Sequence, residues 1–149
     1  MRRKLFSCVL LGLALLMPLN AMAKKKQNTV DKFSKGTGTI YMFGVSQMLA
    51  DSVIYITTIN QVDSIDLEKK TKMLPFRSDF SLQLKEYMEG QQHLKHQTTC
   101  VFFAEKRKKL AKKQYKVKKR YLDNPDTKIV MLDEKSFTFR HPLDFVANE

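Results

Sequence analysis

The stretch "TIYMFGVSQMLADSVIYITTINQV", residues 39–62, decides the fold. It contains two runs rich in β-branched and aromatic residues, 39–48 and 52–62, with only a three-residue connection, "LAD", between them. Such runs favour β-strands, and so short a connection joins antiparallel neighbours. Successive side chains of a strand point to opposite faces, and both faces of the second run are largely apolar. We therefore predict a β-hairpin whose second strand is central in a sheet and covered.

The residues that follow the hairpin predict alternating helices and strands. Residues 77–90 and 105–121 carry apolar side chains at helical spacing, whereas "TTCVFFAE", residues 98–105, predicts a buried strand. "KIVML", residues 128–132, and "SFTFR", residues 136–140, predict two closing strands. The order β-β-α-β-α-β-β predicts the α+β class: a two-layer sandwich with two helices packed on one mainly antiparallel or mixed sheet.

Residues 1–23 have the build of a bacterial secretory signal peptide. A cationic start precedes an apolar core at 5–17, and the segment ends in Ala21-Met22-Ala23. The core is shorter than the roughly 20 residues that a membrane-spanning helix needs. We therefore predict cleavage after Ala23, a periplasmic or secreted protein, and no transmembrane segment once the signal is removed. Residues 24–36 then form a disordered basic leader, and residues 37–149 a single α+β domain.

The positive charge of the chain belongs to one segment. The chain has 27 lysines and arginines against 15 acidic residues, a formal net charge of +12. Removal of residues 1–23 leaves 24 against 15, a net charge of +9. Residues 106–120 hold ten basic residues and no acidic residue, so the rest of the mature chain has 14 basic against 15 acidic residues.

On a helical wheel, residues 106–120 combine a narrow apolar seam with a cationic arc. Leu110, Val117 and Tyr121 fall within about 40° of one another. The cationic side predicts an anion-binding surface of six residues: Lys109, Lys112, Lys113, Lys116, Lys119 and Arg120. The other interpretation is a solvated face, since lysine forms helices well and confers solubility. Like charges at i, i+4 spacing destabilise a helix slightly. This cost favours the interpretation in which the surface binds an anionic partner.

Export decides which anions such a surface can meet. We expect an anionic envelope polymer, a lipid phosphate or an acidic protein as the partner. Nucleic acid is disfavoured, because Tyr115 is the one aromatic residue that borders the cationic arc and base stacking uses several. The resulting hypothesis is an exported, non-enzymatic, envelope-associated binding or accessory module.

An alternative class of function depends on His93, His96 and Cys100. Imidazole and thiolate are good zinc ligands, and a cysteine near a histidine also suits a nucleophile. The alternative is a small thiol- or zinc-dependent enzyme that uses Cys100 with His93 or His96. Their spacing matches no strong metal motif, and Cys100 opens an apolar run in which cysteine ordinarily fills the core. We therefore assign no metal ligand, no cofactor and no catalytic residue.

Three segments together resemble a family of short exported bacterial proteins of unassigned function. They are "TIYMFGVSQMLADSVIYITTINQVDSI", "RSDFSLQLKEYM" and "TCVFFAEKRKKLAKKQYK". This resemblance implies a hairpin, a helix, a strand and a lysine-rich helix in that order, and it implies no catalytic residue. Residues 98–132 are also similar to the second half of peptidoglycan-binding sporulation-related (SPOR) repeats, which implies an envelope compartment and a ligand of that class.

Overall fold

The computed structural model describes residues 35–49 and 51–146. The predicted signal peptide and most of the predicted leader, residues 24–34, lie outside the described residues. At the start of the described part, the Gly36 N–H donates a hydrogen bond of 2.6 Å to the Ser64 carbonyl. This hydrogen bond connects the chain at Gly36 to Ser64, which comes shortly after the predicted second strand.

The described strands form a mixed sheet around a long first strand. The strands are β1 (Thr39–Met48), β2 (Val53–Thr57), β3 (Asn60–Asp63), β4 (Gln97–Ala104) and β5 (Lys128–Leu132). β1 pairs antiparallel with β4 along one side, and with β2 and then β3 along the other. β5 pairs parallel with β2, so the sheet runs in the order β4, β1, β2, β5, and β3 continues the line of β2. The predicted hairpin is confirmed.

A bulge divides the predicted second strand into β2 and β3. Val45 pairs with Ile56 but Met42 pairs with Asn60, so the second strand holds one residue more than β1 over this stretch. Thr57 supplies hydrogen bonds at the bulge. Its Oγ1 accepts from the Gly44 N–H at 2.9 Å, and its carbonyl accepts from Gln114 Nε2 at 2.9 Å.

Helices cover both faces of the sheet. They are α1 (Arg77–Glu86), which continues into a π-helical turn (Tyr87–Gln91), α2 (Arg107–Leu122) and α3 (Leu143–Val146). Leu84 of α1 belongs to a core cluster with Ile40 and Met42, whereas Leu110 of α2 belongs to another with Phe43. Even- and odd-numbered residues of β1 point to opposite faces. α1 and α2 therefore lie on opposite sides of the sheet.

The predicted α+β class, with two helices on one mixed sheet, is confirmed, but the two helices do not share a layer. The strand order supplies the reason. The connection through α1 crosses the sheet from β2 and β3 to β4, and the connection through α2 crosses back from β4 to β5. Both connections join strands of the same direction, and such crossovers are almost always right-handed. Two right-handed crossovers in opposite directions place their helices on opposite faces.

The predicted closing strand at residues 136–140 is not formed. The segment has no ladder partner among the described strands, yet Phe137 and Phe139 are buried with α1. Gln83 holds the segment instead: its Nε2 donates to the Arg140 carbonyl at 2.9 Å, and its Oε1 accepts from the Arg140 N–H at 3.1 Å. Any extended segment with one buried side shows the alternation of a strand, so the pattern did not require sheet pairing.

Candidate anion-binding surface

α2 is fixed to the sheet by a narrow apolar seam, as its sequence predicts. Leu110 is fully buried, and Val117 and Tyr121 are half-buried against the same core cluster. Gln114 lies within the seam, where it satisfies the carbonyl that the bulge leaves at Thr57. The remaining circumference of this 16-residue helix is available to solvent or to a partner.

The six residues of the predicted anion-binding surface are all exposed on α2. They are Lys109, Lys112, Lys113, Lys116, Lys119 and Arg120. The ion pairs within the described part of the chain join Lys35 to Asp144 and Lys85 to Glu89. No carboxylate of the described residues is therefore paired with the six cations. We call this group the α2 cationic surface.

Four of these cations form a row along one flank of α2. Lys109, Lys113, Lys116 and Arg120 follow the spacing i, i+4, i+7 and i+11, which keeps them within about 60° around the helix axis. Like charges at i, i+4 destabilise a helix by a few tenths of a kcal/mol per pair at low salt. The row is a small but repeated unfavourable interaction in the free protein.

The first turn of α2 adds a second unfavourable arrangement. Arg107, Lys108 and Lys109 occupy this turn, which contains no acidic residue, although a helix N-terminus favours negative charge. Lys106 occupies the N-cap position with extended backbone and provides no side-chain cap. An anion close to α2 would relieve both the repulsion along the row and that at the N-terminus.

The α2 cationic surface lies away from three depressions on the described part of the chain. The larger two, of about 440 and 320 Å³, lie between α1 and residues 135–140 and between α1 and β4; the third, of about 150 Å³, lies beside α1 near Pro142. No residue of α2 lines any of the three. All six cations are exposed on the outside of a helix, which suits an extended partner better than a small anion held in a pocket.

Two large apolar side chains are exposed on α2 beside the cations. Tyr115 is 69% and Leu122 is 62% exposed. They are seven residues apart, which puts them on the same arc of the helix, about 10 Å from each other along the axis. The sequence predicts Tyr115 as an isolated aromatic residue beside the cations, and the exposure of Leu122 is an addition from the structure. The i, i+7 spacing is the signal that would have found it.

Cys100, one of the three residues of the alternative enzyme hypothesis, is placed differently from what the sequence predicts. The sequence predicts a core position, but Cys100 is exposed. Cys100 lies in β4, on the face of the sheet that packs against α2. α2 buries this face of the strand at Ala104 but does not cover the part of the strand that holds Cys100. His93 and His96 are exposed in the preceding loop, both with positive φ. Within residues 35–49 and 51–146, no three His, Cys, Asp or Glu side chains are grouped to hold a metal ion.

The environment of Cys100 does not activate its thiol. Although Cys100 reaches the surface, desolvation by the protein atoms around it raises its pKa above the ordinary value, and Arg77 opposes this effect only in part. A nucleophilic cysteine needs the opposite shift, because the thiolate is the reactive form. Cys100 borders the depression between α1 and β4, but neither His93 nor His96 lines it, and the raised pKa disfavours the thiolate.

Comparisons with known proteins assign no family to the chain. No protein-family model, no curated protein and no solved structure matches it. The resemblances noted from the sequence therefore stay predictions. Among the described helices, none has the length and apolar character needed to cross a membrane.

Proposed function

We propose that this protein is an exported, non-enzymatic binding or accessory module of the bacterial envelope, in which the α2 cationic surface contacts an anionic partner. The observation that carries the proposal is the set of six exposed cations on one helix, without a paired carboxylate among the described residues. The repulsion along the row and at the helix N-terminus supports it further, because a helix selected only for solubility would carry both signs of charge.

Sedimentation with envelope fractions tests the anionic partner. The purified protein is mixed with envelope fractions at about 0.05 M salt, where it should sediment, and at about 0.5 M salt, where screening should release it. A variant with Lys109, Lys112, Lys116 and Lys119 changed to Glu should stay in solution at both concentrations. Unchanged sedimentation of this variant would contradict the proposal.

A matched control separates the α2 cationic surface from net charge. Lys69, Lys70, Lys95 and Lys135 are exposed and lie outside α2. Changing these four to Glu alters the net charge by the same amount, and this variant should still sediment at low salt.

The export half of the proposal has its own measurement, which is the N-terminal residue of the protein in a periplasmic extract. We expect Lys24; an intact N-terminus at Met1 in the cytoplasm would contradict export.

A further inference from the structure

We propose that the partner of the α2 cationic surface is the anionic lipid surface of a membrane, against which α2 lies flat with Tyr115 and Leu122 entering the headgroup region. This inference rests on the proposed function and names its partner. It uses an observation that the proposed function does not need, namely the two exposed apolar side chains of α2.

The two exposed apolar side chains of α2 lie next to lysine side chains. Lys118 and Lys119 lie between Tyr115 and Leu122 along the helix, and Lys112 precedes Tyr115 on the exposed side. Tyr115 and Leu122 therefore form a short apolar row at one edge of the cationic surface, next to Lys112 and Lys119 and on the flank opposite the row of four cations. A soluble polyanion would meet the cations but would leave these two side chains in water.

A membrane interface offers a favourable environment to each type of side chain on this part of α2. Tyrosine is suited to the headgroup level, because its ring is apolar and its hydroxyl is polar. Leucine gains free energy when it enters the boundary between headgroups and acyl chains. Lysine strengthens attraction to an anionic lipid surface by about fivefold per residue close to that surface. The arc of α2 around Tyr115 and Leu122 presents all three types of group, because Lys112 and Lys119 lie next to the two apolar side chains.

The shape of the exposed side of α2 also suits a membrane surface. A helix that lies in the plane of a membrane contacts it along its length, without a groove. The α2 cationic surface lies on the outside of the molecule, and the depressions described above are lined by residues of other elements. The helix is about 24 Å long, so its cations can meet several lipid phosphates at once.

The chain contains no tryptophan, so a Tyr115→Trp variant carries a single fluorescent reporter at the proposed contact. The probes are phosphatidylcholine vesicles with and without about 30% phosphatidylglycerol. With the anionic vesicles, we expect the tryptophan emission of this variant to shift to shorter wavelength and to become protected from acrylamide. With pure phosphatidylcholine vesicles, we expect neither change. Binding to the anionic vesicles without a shift or protection would overturn the inference.

A second pair of variants tests the apolar contribution. Changing Tyr115 and Leu122 together to Ser should weaken binding to the anionic vesicles by about tenfold. Binding to soluble inorganic polyphosphate should not change. The matched control changes Met73 and Leu82 to Ser, because these side chains are 50% and 51% exposed and lie outside α2. This control should bind vesicles as the unmodified protein does, and circular dichroism checks that each variant is folded.

The outcomes separate this inference from the proposed function. Binding to polyphosphate without binding to anionic vesicles would overturn the membrane inference and leave the anionic partner intact. The same conclusion follows if the Tyr115 and Leu122 double variant binds vesicles normally. Failure of the unmodified protein to bind either probe at low salt would overturn the proposed function itself.

Discussion

Gly44 lies where β1, the bulge and α1 meet. Its N–H donates to Thr57 Oγ1, and a β-carbon at this position would lie 2.5 Å from Leu84 Cδ2 and 3.0 Å from Phe139 Cζ. Only a residue without a side chain allows α1 and the 136–140 segment to pack this closely on the sheet. Thr57 also binds Gln114, so the same few residues connect the sheet with the helices on both of its faces.

Gly44→Ala should therefore destabilise the protein by about 2 kcal/mol, because the added methyl overpacks a buried contact. Gly90→Ala is the matched control. Its added β-carbon meets no heavy atom within 4 Å and its φ is not positive, so we expect no loss of stability. Urea unfolding of both variants measures the difference, and equal stability of the two would show that the packing at Gly44 is not restrictive.

His141 is a buried titratable group close to the end of the described residues. Its Nδ1 accepts a hydrogen bond from the Leu143 N–H at 3.2 Å, and its ring lies edge-on to Phe76 at 5.7 Å between centroids. Burial lowers the pKa of His141 below its ordinary 6.5, the nearby Lys35 lowers it further, and Asp144 opposes the shift. The folded protein therefore binds this proton more weakly than the unfolded chain does.

The free energy of unfolding should consequently fall as the pH drops from about 7 to about 5, since the unfolded chain takes up the proton first. Asp63, Asp133 and Asp144, whose pKa values are lowered, lose their contributions only below about pH 4. His141→Gln should flatten the slope between pH 5 and 7, measured by urea unfolding at each pH. An unchanged slope between pH 5 and 7 in the His141→Gln variant would contradict this assignment.

At the scale of elements, the sequence pattern correctly predicted the strands and helices that form through local interactions. β1 and β5 have the predicted limits, and the lysine-rich segment is a helix, because β-branched runs and helical seams do not depend on distant partners. The bulge and the conformation of residues 136–140 depend on side-chain hydrogen bonds to other elements. Thr57 makes such a bond at the bulge, and Gln83 makes one to residues 136–140. The placement of α1 and α2 on opposite faces of the sheet depends on the strand order, which cannot be predicted from the periodicity of the sequence.

The first turn of α2 gives a prediction about this helix. Lys106→Asp should stabilise the protein by about 1 kcal/mol, because Asp at the N-cap accepts hydrogen bonds from free N–H groups and offsets the cationic first turn. Lys106→Ala removes the same charge without providing a cap and serves as the control. Thermal unfolding should rank Asp above both Ala and Lys, and equal stability of Asp and Ala would contradict the capping argument.

At the scale of the whole molecule, the charge is concentrated on one helix of a chain that is otherwise nearly neutral. The sequence predicted the six cations and their helix, because these follow from composition and spacing alone. It did not predict the exposure of Cys100, which depends on how much of β4 is covered by α2. It also did not predict that the cations would lie away from the depressions described above, since this depends on the face that α2 occupies.

The salt dependence of binding to inorganic polyphosphate tests the central claim most directly. A variant with Lys109, Lys112, Lys116 and Lys119 changed to Gln is compared with the control in which Lys69, Lys70, Lys95 and Lys135 are changed to Gln. In a plot of log Kd against log salt concentration, the slope should fall by about three for the α2 variant, because fewer counterions are released. The control should keep the slope of the unmodified protein. Equal slopes for the two variants would contradict an anion-binding role for α2.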